Sequence, residues 1–139
     1  MVLNSDDWDK LNDFIILDDF LLTHAGLHPV YIPSSVKNIE DVKIWLPEQL
    51  KRAHKLRSEN VRHWIFNQGY RMGEDKIGGI FWCDANHEFH PHGNIKQMFG
   101  HTHQKEGVKI FDGGRDFCLD TFLRNYIMVV DGQLEIKSL

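Results

Sequence analysis

Two short, almost uninterrupted apolar segments near the start of this 139-residue chain constrain its fold more than any other feature. The first is Phe14–Leu17 and the second begins at Phe20, with only Asp18 and Asp19 between them. A strand that is exposed on one face alternates apolar and polar residues, whereas a strand buried on both faces is a continuous apolar run. We therefore predict two strands, Phe14–Leu17 and Phe20–Thr23, in a sheet that is covered on both faces.

The middle of the chain is predicted to be helical. Apolar residues recur at helical spacing from Asn38 to about Gln68. Pro47 is expected to end one helix and to begin the next, because a proline ring suits a first turn and not a helix interior. A further short, capped helix is predicted to begin at Ser5–Asp7.

Beyond Gly69 the pattern changes to short strands separated by glycine-bearing turns. We expect these strands to be mostly antiparallel, with a terminal hairpin that turns at Asp131-Gly132. The order of strands, helices and further strands indicates an α/β or α+β fold. The predicted strands are Ile80–Cys83, Lys96–Phe99, Val108–Phe111, Asp116–Leu119, Tyr126–Val130 and Leu134–Ile136.

Composition limits the class of protein. The length suits a single domain over residues 1–139, and 42% hydrophobic residues exclude disorder. A net charge of −4 argues against broad binding of nucleic acid through its phosphates. No apolar run approaches the ~20 residues of a membrane span, and the acidic start is not a secretory signal. Cys83 and Cys118 have no CxxC partner, so we expect small buried thiols in a cytoplasmic protein.

Histidine is the compositional exception. The chain has nine, and five of them lie in one stretch: His87, His90, His92, His101 and His103. A predicted strand leads into Gly100-His101-Thr102-His103, where the glycine is expected to permit a sharp turn. Another predicted strand leads into His24. Because adjacent strand ends meet at one edge of a sheet, we predict that His24, His101 and His103 converge there. Imidazole nitrogen is a common ligand for zinc, manganese and iron.

These motifs resemble those of calcineurin-like metallophosphoesterases. His24-Ala25-Gly26-Leu27-His28-Pro29 resembles the His-Gly-Gly-Leu-x-Pro segment of phosphoprotein phosphatases, and Gly100–His103 resembles the Gly-His-x-His loop of the wider family. Trp82-Cys83-Asp84 is similar to a Trp-x-Asp segment, and Cys118–Thr121 looks like the strand that follows the histidine loop. The resemblance runs from about Trp8 to the end. It implies part of an αββα sandwich, a mixed sheet with a helical segment between its strands.

The resemblance also implies a chemistry, which is the hydrolysis of phosphate esters by two divalent metal ions that share a hydroxide. His24 and His101 would bind one ion and His103 the other, and each ion would be manganese, zinc or iron. The substrate would be a phosphate ester or a phosphoprotein.

Three other motifs of the family are not found before His24, namely Asp-x-His, Gly-Asp-x-x-Asp and Gly-Asn-His-Asp/Glu. Ala85-Asn86-His87-Glu88 imitates the third, but it follows His24 instead of preceding it. We therefore expect a truncated, C-terminal half of a phosphoesterase with little activity of its own. Such a chain is expected to form a homo-oligomer or to join a complementary N-terminal half.

Alternatives from other classes remain open. One is a non-catalytic, histidine-rich metal-binding module that adds His87, His90 and His92 to the site, and another is a structural protein that has lost its metals. The spacing of these three histidines is not a recognised zinc pattern, so an exposed loop is expected for them. Arg71 and Arg115 are candidates to clamp a phosphate, although the sequence does not separate them from surface arginines.

Overall fold

The computed structural model describes residues 12–131 and 133–139. In this part of the chain it shows a mixed α/β fold with one α-helix, a five-stranded mixed sheet and a small two-stranded sheet. The helix α1 spans Ile39–Ser58. The larger sheet contains β1 (Phe14–Leu17), β2 (Phe20–Thr23), β3 (Lys96–Phe99), β4 (Lys109–Ile110) and β5 (Asp116–Cys118), and the smaller sheet pairs β6 (Asn125–Val130) with β7 (Gln133–Ser138).

Short 3₁₀ helices occupy some of the connections: Pro29–Tyr31, Trp64–Phe66, Gly69–Met72 and Asp112–Gly114. No helix among the described residues is both long enough and apolar enough to cross a membrane. The helix predicted at Ser5–Asp7 lies outside the described residues.

The centre of the larger sheet is parallel. The strand order is β1-β2-β3-β5-β4, in which β2, β3 and β5 pair in parallel while β1 and β4 are antiparallel edge strands. The predicted antiparallel order beyond Gly69 is therefore wrong for β3 and β5, and it is right for the β6–β7 hairpin. The reason is that α1 and its flanking loops form the long crossover from β2 to β3, and the segment 100–115, which contains β4, forms the crossover from β3 to β5. As a consequence, the carboxyl ends of β2, β3 and β5 meet at one edge.

Helix α1 continues through Pro47, so the prediction of two helices that meet at this residue is wrong. The proline removes one backbone hydrogen bond, at a cost of about 3 kcal/mol. Burial of one helix face offsets that cost, because four residues of α1 reach the core: Val42, Leu46, Leu50 and Ala53. The helix ends at Ser58, well before the predicted Gln68, and Asn60 then adopts a left-handed φ of +58°.

Both faces of the larger sheet are covered at β2, as its apolar run predicted, but the prediction is wrong for the edge strand β1, where Ile15 and Leu17 are exposed. On one face Leu21 belongs to a core cluster with α1 and with Ile65, Ile80 and Ile95. On the other face three strand residues pack under the β6–β7 hairpin: Phe20, Met98 and Phe117. A third cluster surrounds the carboxyl ends of the strands and contains both cysteines, which are buried as predicted.

The segment Ile80–Cys83 is a turn, so its assignment as a strand is wrong. The amides of Trp82 and Cys83 both donate to the carbonyl of Gly79 at 2.9 Å, which closes the backbone on itself. The Gly79 amide donates to the carbonyl of Asn67 at 2.9 Å, so the turn packs against the preceding 3₁₀ segment. Ile80 and Cys83 are buried there without any strand partner, and Phe81 and Trp82 are partly buried.

A carboxylic acid is buried at the amino end of β5. Asp116 is 1% exposed, and its Oδ1 has no hydrogen-bond partner among the described residues. Burial raises the pKa of Asp116 to about 6, against the opposing effects of a backbone hydrogen bond from Gln97 and the charge of Arg115. The folded protein therefore binds this proton more tightly than the unfolded chain does.

We expect Asp116→Asn to stabilise the protein at pH 7.5 by up to about 3 kcal/mol and to have little effect at pH 4. The stability that the protonated acid contributes is complete below the unfolded pKa, near 4, and is lost as the pH rises through about 6. Urea unfolding at the two pH values measures the difference. Asp75→Asn is the control, because Asp75 is exposed. An equal effect of Asp116→Asn at both pH values would contradict this account.

Candidate functional site

The ends of two parallel strands bring His24 and His101 into contact. His24 follows β2 directly, and His101 follows β3 after Gly100. Nε2 of His24 lies 2.9 Å from Nδ1 of His101, and the two rings meet edge to face with centroids 4.8 Å apart. A backbone hydrogen bond from the Gly100 amide to the His24 carbonyl, 2.9 Å long, joins the two loops. The structure thus brings together two of the three histidines that were predicted to converge.

The third histidine has a different partner. Nδ1 of His103 lies 2.8 Å from Oδ1 of Asp120, which follows β5, and the His103 ring stacks on Phe122 with centroids 4.1 Å apart. Among the described residues, no group of three or more His, Cys, Asp or Glu side chains is placed to hold a metal ion. The metal-binding role of His24, His101 and His103 therefore stays a prediction.

The sharp turn after β3 falls at His101 and not at the glycine. His101 has a φ of +68°, in the left-handed region, whereas Gly100 does not. A side chain held there costs of order 1 kcal/mol or more, and such residues cluster at functional sites. The matching loop after β2 does need its glycine. Gly26 has a φ of +94°, and a Cβ on it would lie 2.9 Å from the ring of Phe89.

An arginine and an aspartate hold the backbone beside the histidine pair. Arg71 donates from Nη2 to the carbonyl of His101 at 3.2 Å and from Nε to Oδ2 of Asp84 at 3.1 Å. Oδ1 of Asp84 also accepts hydrogen bonds from the amides of Asn86 and His87 and pairs with the His87 ring. Burial alone would raise the pKa of Asp84, but these hydrogen bonds and the charge of Arg71 lower it. An ionised carboxylate therefore anchors Arg71 next to His101.

The other arginine candidate is not at this edge. Arg115 precedes β5 and donates from Nη1 to the carbonyl of Gly93 at 2.5 Å. The amino end of β5 is the opposite edge of the sheet from the histidine pair, because β3 and β5 are parallel. Of the two arginines that the sequence suggested, the structure places only Arg71 beside the pair.

The electrostatics around His101 keep its ring neutral. Burial, and then the charges of Arg71 and His24, lower the pKa of His101 to about 4. Its Nε2 atom is buried and has no partner among the described residues. Because an imidazole must be neutral to bind a metal ion, His101 is available as a ligand at physiological pH.

Two cavities adjoin the histidine pair. The larger, which we call the histidine cavity, has a volume of about 740 Å³ and is bounded by β1, β2, Phe81, Trp82 and both histidines. The smaller has a volume of about 330 Å³ and lies between the ends of β2, β3 and β5, beside Asp120 and Leu123. Both volumes fall within the range of small-molecule sites. Open space next to the two imidazole rings gives a small molecule access to the pair.

The three remaining histidines of the rich stretch have separate surroundings. His87 pairs with Asp84 and stacks on Tyr70 with ring centroids 3.9 Å apart. His90 meets the ring of His28 edge to face, with centroids 5.5 Å apart. Burial lowers the pKa of His92. The structure does not gather these three residues into one group.

The histidine pair offers at most two nitrogen ligands to one transition-metal ion, and in the structure these two nitrogens are hydrogen-bonded to each other. With zinc–nitrogen bonds of about 2.0–2.1 Å and tetrahedral angles, two ligating nitrogens stand roughly 3.3–3.4 Å apart. The observed distance is 2.9 Å, so an ion that binds both nitrogens must displace the proton between them and both rings must turn toward it. The pair alone does not fit two ions, because two divalent charges need carboxylates to bridge and neutralise them.

No protein family, no curated protein and no solved structure matches this chain. The interpretation of the site therefore depends on its own residues and their geometry.

Two features of the site were not recognised from the sequence. Asp120 was matched only as part of a strand, and its pairing with His103 follows from the parallel placement of β5 beside β3. The link from Asp84 through Arg71 to His101 joins residues that were noted separately. A usable signal for Asp120 was its position immediately after a predicted apolar strand, which is the position that His24 holds after β2.

Proposed function

We propose that this chain supplies the histidine half of a metal-dependent phosphoesterase site of the calcineurin-like type. The observation that carries the proposal is the 2.9 Å contact between His24 and His101 at the carboxyl ends of two parallel strands. The carboxylate ligands would come from another segment, either a partner chain or a second copy of this chain. The substrate would be a phosphate ester or a phosphoprotein.

The layering of the fold supports this proposal. Helix α1 lies on one face of the larger sheet and the β6–β7 hairpin lies on the other, which gives the layer order helix, sheet, sheet. An αββα sandwich has this order with one more helical layer. The chain would then form part of such a sandwich, with its histidine loops at the edge where the site is built.

Each residue of the site has a role under this proposal. His24 and His101 would hold a zinc, manganese or iron ion, which when bound supplies a Lewis acid for a phosphoryl oxygen. Arg71, fixed by Asp84, would bind phosphoryl oxygens through its remaining N–H groups. Asp120 orients His103 through Nδ1, which leaves Nε2 of His103 free to act as the ligand that the family resemblance assigns to it.

A non-catalytic metal-binding module is the second candidate. It is favoured by one observation, which is that no carboxylate joins the histidine pair to form a group of three in the described part of the chain. Both candidate functions require metal binding, so metal binding is tested first. Turnover of a phosphate ester then distinguishes the phosphoesterase from the non-catalytic module.

We expect the chain to bind Zn²⁺ weakly, and we expect His24→Ala or His101→Ala to weaken that binding by about 100-fold. Structural zinc sites with four ligands gain about 10–16 kcal/mol, so one ligand contributes roughly 3 kcal/mol. Competition with a chromophoric chelator measures the affinity.

The matched control is His54→Ala, which removes an exposed imidazole that is paired with Asp13. His103→Ala is expected to leave the affinity for the first ion unchanged, because His103 is paired with Asp120. Zn²⁺ affinity that is the same in His24→Ala and in the wild-type chain would remove the basis of the proposal.

A further inference from the structure

A third cavity, which we call the arginine cavity, lies beside the histidine cavity. Its volume is about 400 Å³, and its polar lining includes Arg57, Arg62, His63 and Glu74. Trp82 lines this cavity as well as the histidine cavity. The ring of Trp82 is also in edge-to-face contact with His101, at a centroid distance of 5.6 Å. Trp82 therefore borders both cavities.

The arginine cavity carries excess positive charge. Arg57 lies over the ring of Phe66, 4.9 Å from its centroid, and has no carboxylate within salt-bridge distance among the described residues. Arg62 is 85% exposed, and its Nη1 is 3.7 Å from Oε1 of Glu74, which is a long separation for an ion pair. Two guanidinium groups thus face one carboxylate.

One oxygen of the Glu74 carboxylate already accepts two hydrogen bonds from the backbone. Oε2 of Glu74 accepts hydrogen bonds from the amides of Gln68 and Gly69 at 3.0 and 3.3 Å, and these bonds lower its pKa. His63 contributes a donor, because its Nδ1 accepts the Ile65 amide at 3.3 Å and the ring proton of the neutral form is therefore on Nε2. The cavity presents mainly hydrogen-bond donors and positive charge, which is the lining that suits an anion.

We infer that the arginine cavity is a subsite for a second anionic group of the substrate, a carboxylate or a phosphate carried next to the phosphoryl group that is hydrolysed. The preferred substrate class is then a phosphopeptide with acidic neighbours, and not a simple phosphate monoester. The inference rests on the proposed function for the position of the reacting phosphoryl group, and on the cavity alone for the binding of the second anion.

The test compares two fluorescein-labelled phosphoserine peptides of equal length, one with glutamates after the phosphoserine and one with glutamines. Fluorescence anisotropy at low salt measures their affinities for the full chain. We expect the glutamate peptide to bind about 3- to 10-fold more tightly, and we expect this preference to shrink as salt is added. A third peptide with a second phosphoserine shows whether phosphate or carboxylate fills the subsite better, and tighter binding of either over glutamine supports the inference.

Variants separate this subsite from the histidine pair. Arg57→Gln and Arg62→Gln should each reduce the preference for glutamate, and the double variant should abolish it. Lys51→Gln is the matched control, because it removes a positive charge from the exposed face of α1 outside the cavity. His101→Ala should lower metal binding and leave the preference for glutamate unchanged, so the inference and the proposed function fail in different measurements.

Two results would overturn the inference. The first is equal affinity of the wild-type chain for the glutamate and glutamine peptides. The second is a loss of preference in Lys51→Gln as large as that in Arg57→Gln, which would show a diffuse effect of net charge. Thermal unfolding of each variant verifies that the fold is intact.

Discussion

p-Nitrophenyl phosphate is expected to be hydrolysed by the monomeric chain at no more than the background rate, even when Mn²⁺ is saturating. His24 and His101 are neutral when they ligate, so they supply no charge to balance two divalent ions. Without a bridging carboxylate, the nucleophilic hydroxide has no fixed position. The lost positioning corresponds to about 7–11 kcal/mol of barrier reduction, or roughly 10⁵- to 10⁸-fold in rate.

The decisive comparison is between the wild-type chain and His101→Ala, measured as initial rates with added Mn²⁺. Robust turnover by the monomeric wild-type chain that disappears in His101→Ala would show that a single chain builds a complete site, and the half-site proposal would be wrong. Rates at background in both proteins, together with Zn²⁺ binding that depends on His101, agree with the proposal.

The same assay over a wide range of protein concentration tests whether a second copy completes the site. Ile15 and Leu17 are 51% and 48% exposed on the edge strand β1, so the described residues leave an apolar patch uncovered on one face of this strand. We expect light scattering to detect self-association. A clean monomer at high concentration would count against a second copy as the source of the missing ligands.

The fold was predicted well where one local pattern determined the outcome. The apolar runs at Phe14–Leu17 and Phe20–Thr23 predicted both strands, and the second run also predicted the cover on both faces of β2. The prediction was wrong where packing overrides local preference, as at Pro47 inside α1. The prediction of a strand at Ile80–Cys83 was also wrong. An apolar run indicates burial, but it does not indicate whether the backbone pairs with another strand.

The site was predicted in part for a related reason. A histidine directly after an apolar strand is visible in the sequence, and parallel pairing of β2 with β3 was enough to join His24 to His101. The contacts of Arg71 with Asp84 and with the His101 carbonyl depend on how three loops pack. No spacing along the chain encodes such contacts, so only the structure shows them.

The sequence and the structure differ most clearly in which glycine the fold requires. The motif pointed to Gly100 as the residue that the histidine loop requires. In the structure a Cβ on Gly100 would lie 3.7 Å from the His24 carbonyl oxygen, an ordinary contact, and its φ is outside the left-handed region. A Cβ on Gly79 would lie 2.1 Å from the backbone oxygen of Ile65. Gly79, which lies outside the histidine loop after β3, is therefore much harder to replace than Gly100.

We accordingly expect Gly79→Ala to destabilise the protein by at least about 3 kcal/mol, since backbone atoms of Trp64 and Ile65 must move and cannot simply rotate away. Gly100→Ala is the matched substitution and should change the free energy of unfolding by less than about 1 kcal/mol. Urea unfolding measures both values. Near-ultraviolet circular dichroism should also change in Gly79→Ala, because the displaced turn carries Trp82, which lines both the histidine cavity and the arginine cavity. Equal destabilisation by the two substitutions would mean that the histidine loop depends on its glycine after all, and that the left-handed conformation belongs to Gly100 and not to His101.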